Sequence, residues 1–191
     1  MDLIEHIEGK RYLGREFLAF LWFESELFEG TLELEGRGSF GLWLESQLTL
    51  DGPLQSKEQC KLRGASPSGS AEAHEALRQG KLPTTARVRI DLGEQSFAFL
   101  LHAETLRLGS VKLPAVLGEE KDEDEPFYER MRLLEELESL VDGLYKDFVS
   151  LRLSDRWDGE LLPLLRRWVQ GEEVDAEVYR RVRRPPRSKK G

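Results

Sequence analysis

The sequence has one cysteine, Cys60, and three widely separated histidines, His6, His74 and His102. It has no apolar run longer than the seven residues Phe17 to Phe23. Each scarcity removes a class of protein. A single cysteine forms no internal disulfide and no multi-cysteine zinc cluster. Histidines with no HxxxH or HxxE partner nearby read as structural or surface residues, so no metal site is expected. A membrane-spanning helix needs about 20 apolar residues, so no span is expected. The opening Met1-Asp2-Leu3-Ile4-Glu5 lacks the basic-then-apolar order of a secretion signal. Together these features predict a cytoplasmic protein.

Reaction chemistry is equally sparse. The chain has no GxSxG elbow and no phosphate-binding loop, and Gly36-Arg37-Gly38 with Gly41 reads as turn chemistry. Cys60 falls in an alternating strand, where a thiol behaves as a small buried hydrophobe. Nothing in the spacing supports a dyad of Cys60 with His102. Carboxylates are so abundant that no acid–base pair stands out. The expectation is a protein with no catalytic residues, no cofactor and no metal.

What the chain does have is charge and patterned apolar residues. Over 191 residues, 39% are hydrophobic and 34% charged, which suits a compact core under a charged surface. The net charge of −8 is unevenly spread. Residues 180–191 hold seven cations, Arg180, Arg181, Arg183, Arg184, Arg187, Lys189 and Lys190, and no acid. Taking those seven from 28 leaves 21 Lys and Arg against 36 Asp and Glu over residues 1–179, a net of −15. The body repels polyanions and the tail attracts them.

Periodicity predicts the elements. Leu13 to Glu24 reads as a helix that is apolar almost all round, through Phe17, Leu18, Phe20, Leu21, Trp22 and Phe23. Such a helix is either central to the fold or an interface. From Thr31 to Gly64 the period becomes two, with strands around Leu32–Leu34, Phe40–Leu44, Leu48–Leu50 and Cys60–Leu62 between turns. Trp43 falls out of phase with Phe40 and Leu42, so a helix covers it or it is an exposed contact. Ser70 is placed to open a short helix and Gly80 to end it. Alternation returns at Ala86–Leu92, Phe97–Leu101 and Leu106–Val111.

Residues 119–125 hold six acids in seven positions and read as a solvated linker. Pro126 then opens a long helix to about Arg152, striped by Leu133, Leu137, Leu140, Leu144, Phe148 and Leu151. A helix over Glu160–Gln170 and a last one from Ala176, capped by Asp175, complete the pattern. The predicted fold is α+β: a bent antiparallel meander of about seven strands packed with an N-terminal helix and a long C-terminal helix. The corresponding divisions are a sheet domain over 1–118, the acidic linker 119–125, a helical region over 126–179 packing on the sheet, and a basic disordered tail over 180–191.

Three stretches occur together in order: Tyr12-Leu13-Gly14-Arg15-Glu16-Phe17-Leu18-Ala19-Phe20-Leu21-Trp22-Phe23-Glu24-Ser25-Glu26, Gly80-Lys81-Leu82-Pro83, and Ser110-Val111-Lys112-Leu113-Pro114. With the helix carrying Glu129-Arg130-Met131-Arg132-Leu133-Leu134-Glu135, they resemble the C-terminal part of RdgC-like proteins, the bacterial recombination-associated family. The likeness covers most of residues 10–170. It implies association with double-stranded DNA, dimerisation and a nucleoid location. Members of that family carry a further N-terminal portion, and none of their DNA-contact residues maps onto a motif here.

The functional expectation is a non-enzymatic RdgC-like module that touches DNA weakly through Arg180, Arg181, Arg183, Arg184, Arg187, Lys189 and Lys190. Protein contacts, including a homodimer, are expected through Phe17, Phe20, Trp22, Phe23 and Trp43. The rival reading is an adaptor or homo-oligomeric interaction protein with no nucleic-acid role.

Overall fold

The computed structural model describes residues 3–53, 56–115 and 125–183, with side chains within 11–53, 56–115 and 126–183. Helix α1 (Leu3–Leu27) is the axis of the molecule. Phe17, Leu18, Phe20, Leu21, Trp22 and Phe23, which point all round its circumference, are buried. Burial on every side requires neighbours on every side. One flank of α1 lies on a sheet. On another flank Phe17 and Phe20 meet Phe148, with ring centroids 5.6 and 5.3 Å away. Trp22 and Phe23 both pack edge-on against Trp168, and Phe23 also packs against Tyr179. Each such aromatic contributes about 1.5–3 kcal/mol on burial.

Phe17, Phe20, Trp22 and Phe23 are therefore core residues and do not form an interface. The sequence left both readings open because an all-apolar helix looks the same under a sheet or under a partner.

The sheet has six antiparallel strands: β1 (Thr31–Leu34), β2 (Gly38–Asp51), β3 (Gln59–Arg63), β4 (Leu82–Leu92), β5 (Gln95–His102) and β6 (Arg107–Lys112). Its order is β1-β2-β4-β5-β6, with β3 also paired to β2. The six strands match the predicted meander of about seven, with one fusion. Phe40–Leu44 and Leu48–Leu50 are a single 14-residue strand, interrupted by a bulge between Glu45 and Leu48 at which Ser46 takes φ 52°. Two extra residues in β2 preserve the alternation, so Leu42, Leu44, Leu48 and Leu50 all face α1.

The same edge of β2 carries β1 near its start and β3 near its end, leaving a stretch between them with no strand partner. That stretch is closed by other groups. Leu42 N donates to Gly30 O, the Leu42 carbonyl accepts from Ser25 Oγ at 2.8 Å, and the Leu44 carbonyl accepts from Ser68 Oγ at 3.2 Å. Gly64 N donates to Ser46 O. A free edge is thus stapled to α1 and to the loop after β3, which removes a template for pairing with another chain.

Helix α2 (Ala71–Arg78) begins at Ser70, whose Oγ accepts from Ala73 N, and ends in a Schellman turn. There Gly80, at φ 81°, donates to Leu77 O while Lys81 N reaches Ala76 O. Helix α3 (Glu125–Arg152) buries the predicted stripe of Leu133, Leu137, Leu140, Leu144, Phe148 and Leu151. A π-helical turn (Trp157–Leu161) runs into α4 (Leu162–Val169), and α5 (Ala176–Arg183) follows, capped by Asp175. Apolar residues from the sheet, α1 and the later helices form one contiguous core, so the helical region after residue 125 shares its core with the sheet. Among the described residues, no helix is long and apolar enough to cross a membrane.

Candidate functional site

The Gly14-Arg15-Glu16-Phe17 motif is used up by packing. Gly14 lies so close to the Ala103 backbone that any Cβ would overlap its carbonyl oxygen. Arg15 Nε donates to Glu104 Oε1 at 2.9 Å, and Arg15 Nη1 donates to the Gly52 carbonyl at 3.0 Å. Glu16 takes the Arg152 guanidinium at 3.1 Å. The motif therefore ties α1 to the β5–β6 turn, to the end of β2 and to the last turn of α3.

The predicted DNA contacts divide three ways. Arg183 is buried and belongs to a closed network: its Nε lies 3.0 Å from Glu24 Oε1 and its Nη2 donates to Asp147 Oδ2 at 2.5 Å. It is a structural residue and not a DNA contact. Arg180 pairs with Glu177 and stacks on Phe28, and Arg181 is exposed with no ion pair among the described residues. Residues 180–183 form the last turn of α5, so the tail cannot begin at 180. Arg184, Arg187, Lys189 and Lys190 lie outside the described residues.

The same network seats α5. Tyr179 Oη donates to Glu24 Oε1 at 2.6 Å, and Arg156 donates to the Val182 and Arg183 carbonyls at the helix end. Burial raises the Tyr179 phenol well above its usual value near 10, the Glu24 charge adds to this and the Arg183 charge opposes it. An unfolded chain releases that proton near pH 10 while the folded chain holds it. Stability from this group is thus full below about pH 10 and falls as pH rises beyond it. In urea titrations across pH 9–12, Tyr179→Phe is expected to flatten the alkaline loss without abolishing it, since Tyr12 and Tyr145 are also raised. At pH 7 the variant should cost about 2 kcal/mol for the lost bond to a carboxylate. An unchanged alkaline slope would refute the buried phenol.

His74 and Cys60 have structural settings. His74 Nε2 lies 3.3 Å from Glu26 Oε1, and the same carboxylate accepts from Trp22 Nε1 at 2.6 Å and Trp168 Nε1 at 2.7 Å. Glu26 thereby clamps α1, α2 and α4 together. Cys60 pairs with Leu50 on the inner face of the sheet, whereas His102 pairs with Thr85 on the outer face. The sheet separates the two, so they form no dyad. Among the described residues, no group of His, Cys, Asp or Glu is arranged to hold a metal ion.

The outer face of the sheet is the part of the surface that the core does not explain. The helices pack on the inner face, and strand register fixes what points outward. Six cations share this face, Lys61, Arg63, Arg87, Arg89, Arg107 and Lys112, against four acids, Glu33, Glu45, Asp51 and Asp91. Arg89 is paired with Glu45 at 2.7 Å, and Arg87 donates to the carbonyls of Ser110 and Ala98. The other four, Lys61, Arg63, Arg107 and Lys112, are exposed and have no carboxylate partner among the described residues. Register aligns Lys61, Thr49, Thr85, His102 and Arg107 in one row across β3, β2, β4, β5 and β6. Four strand intervals make that row about 19 Å wide. An open polar depression of about 430 Å³ lies along it.

Trp43 also sits on this face. Its ring is pressed against the backbone of Gly30 and Gly41, and Arg89 lies over it at 4.4 Å from the centroid. No helix covers it. Trp43 is half-buried, with the Arg89 guanidinium over its ring.

The four cations were missed because sequence reading looked for a linear cluster. Alternation did signal them: Lys61 and Arg63 alternate with Cys60 and Leu62, and Arg87 and Arg89 with Ala86, Val88 and Ile90. What alternation lacks is the pairing that brings β3 and β6 onto one sheet.

Fold and site together define an α+β protein with a helix-filled sheet and an uncovered basic face. Comparison of the chain with protein families, with curated proteins and with solved structures gives no match in any of the three.

Proposed function

We propose that the chain is a non-catalytic binding module that engages double-stranded DNA by charge, through the open face of its sheet. The observation that carries this reading is the gathering of Lys61, Arg63, Arg107 and Lys112, without carboxylate partners among the described residues, on one face of a chain whose net charge is −8. Unpaired cations on a common face are the footprint of phosphate contact. Among the described residues Trp43 is the one Phe, Tyr or Trp that strand register places on that face, and the Arg89 guanidinium lies over its ring, so the face offers bases little to stack on. That favours a duplex, met at its backbone, over a splayed single strand. The acidic remainder of the surface restricts contact to this side. The resemblance to RdgC-like proteins agrees in kind but supplies none of these residues. The non-enzymatic reading rests on the pairing of the buried Glu24 and Arg183 with one another, with Tyr179 and with Asp147, and on the opposed placement of Cys60 and His102.

Fluorescence anisotropy with a labelled duplex, titrated against salt, tests it. Each phosphate contact contributes about 0.9 to the slope of log K against log salt. The variant Lys61→Ala/Arg63→Ala/Arg107→Ala/Lys112→Ala should flatten that slope by about 3 to 4, and deletion of residues 184–191 measures the tail separately. Absence of binding at low salt, or a slope untouched by the fourfold variant, would dismiss the sheet face as a DNA surface.

A further inference from the structure

The cations that lack carboxylate partners among the described residues stand on the two outermost strands of the open sheet face. Lys61 and Arg63 are on β3, and Arg107 and Lys112 are on β6. Between them the face carries uncharged hydrogen-bonding groups. Thr49 on β2, Thr85 on β4 and His102 on β5 follow one another in register along the polar depression, and Gln47 lies one outward position from Thr49. Among the described residues, none of these four side chains makes a hydrogen bond or an ion pair. Thr49 is 7% exposed, yet its hydroxyl oxygen is still reached from the depression. Two acids also line the depression and both are answered: Asp51 accepts from Gln59 Nε2 at 2.8 Å, and Glu104 from Arg15 Nε at 2.9 Å.

Spacing decides what those groups meet. A DNA strand advances about 3.4 Å along the axis per phosphate, so one lying along a row about 19 Å wide passes roughly five phosphates. The cations Lys61 and Arg107 meet it at the ends of the row alone. Arg87 and Arg89 do not fill the gap, since Arg87 donates to the Ser110 and Ala98 carbonyls and Arg89 pairs with Glu45. A phosphate over the middle strands loses water and needs donors in its place. Hydroxyl and side-chain N–H groups are the uncharged donors that phosphates take.

We propose that the middle of the sheet face is a phosphate track, in which Thr49, Thr85 and His102 donate to backbone oxygens of one duplex strand held between the cations of β3 and β6. The track rests on duplex binding by this same face and gives it residues of a second kind. Cations draw the duplex in and release its counterions, whereas uncharged donors fix where the strand lies. A depression suits the projecting phosphate ridge. Base edges lie recessed in the grooves and call for side chains that protrude.

Anisotropy of a labelled duplex tests it with Thr49→Val/Thr85→Val, which removes two hydroxyls and keeps their shape. Affinity should fall roughly tenfold at an unchanged slope of log K against log salt, because a hydroxyl releases no counterion. The thermal midpoint should hold, and Thr49→Ser/Thr85→Ser should bind like the native chain. The loss should be equal on duplexes of A·T pairs alone and of G·C pairs alone, as contact with phosphate requires. Native affinity in the valine variant, a moved salt slope, a lowered midpoint, a loss that serine does not restore or a loss confined to one duplex overturns the track. None of these touches the sheet face as a DNA surface, which the fourfold cation variant decides. A native chain that binds no duplex removes both.

Discussion

Gly14→Ala is expected to lower stability by about 3 kcal/mol, shifting the urea midpoint down by about 1.5 M for a slope near 2 kcal/mol/M. The cause is local and rigid. A Cβ at Gly14 points into the Ala103 carbonyl, and that neighbour is backbone. Relief requires α1 to lift from the β5–β6 turn, which strains the Arg15–Glu104 and Arg15–Gly52 bonds beside it. It also loosens the aromatic rings packed on α1 one turn further along. Gly159→Ala is the matched control, since a Cβ there meets nothing within contact distance. It should be neutral or stabilising by a few tenths of a kcal/mol. Equal midpoints for the two variants would mean that α1 does not approach residue 103 as described.

Glu24→Ala carries the second large effect. Glu24 is fully buried and receives both the Tyr179 hydroxyl and the Arg183 guanidinium. Removing it strands a buried cation against Asp147 alone, a change of about 3–5 kcal/mol. The whole cluster is not required to be favourable, because desolvation of two charges offsets much of their attraction. The paired variant Glu24→Leu/Arg183→Met should therefore recover a large part of the loss. A double-mutant cycle on urea midpoints separates the terms. A cost for Glu24→Ala below about 1 kcal/mol would mean that the pair behaves as a surface ion pair and that α5 is not seated on it.

Arg183 shows why one of the terminal cations was misread. By composition it is one of seven positive charges in a run, and a run of like charge reads as solvated. Its burial depends on Glu24 and Asp147, which are 159 and 36 residues away in the chain and converge only when α1, α3 and α5 are docked. A charge with a distant partner cannot be told from a free one in one dimension. The opposite error befell Phe17, Phe20, Trp22 and Phe23. Their chemistry was legible, but whether the covering surface belonged to this chain or to another was not.

Alternation and helical spacing, being local, were enough to specify an α+β chain. The striped α3, the capped α2 and the two-residue rhythm of the strands all follow from side-chain size and backbone propensity within a few positions. Distance along the chain is what hid the rest. The fusion of two predicted strands across the Ser46 bulge, the enclosure of α1 and the assembly of Lys61, Arg63, Arg107 and Lys112 on one face each depend on which strands and helices lie side by side. That choice is made by the packing free energy of the whole core, to which no single segment holds the key.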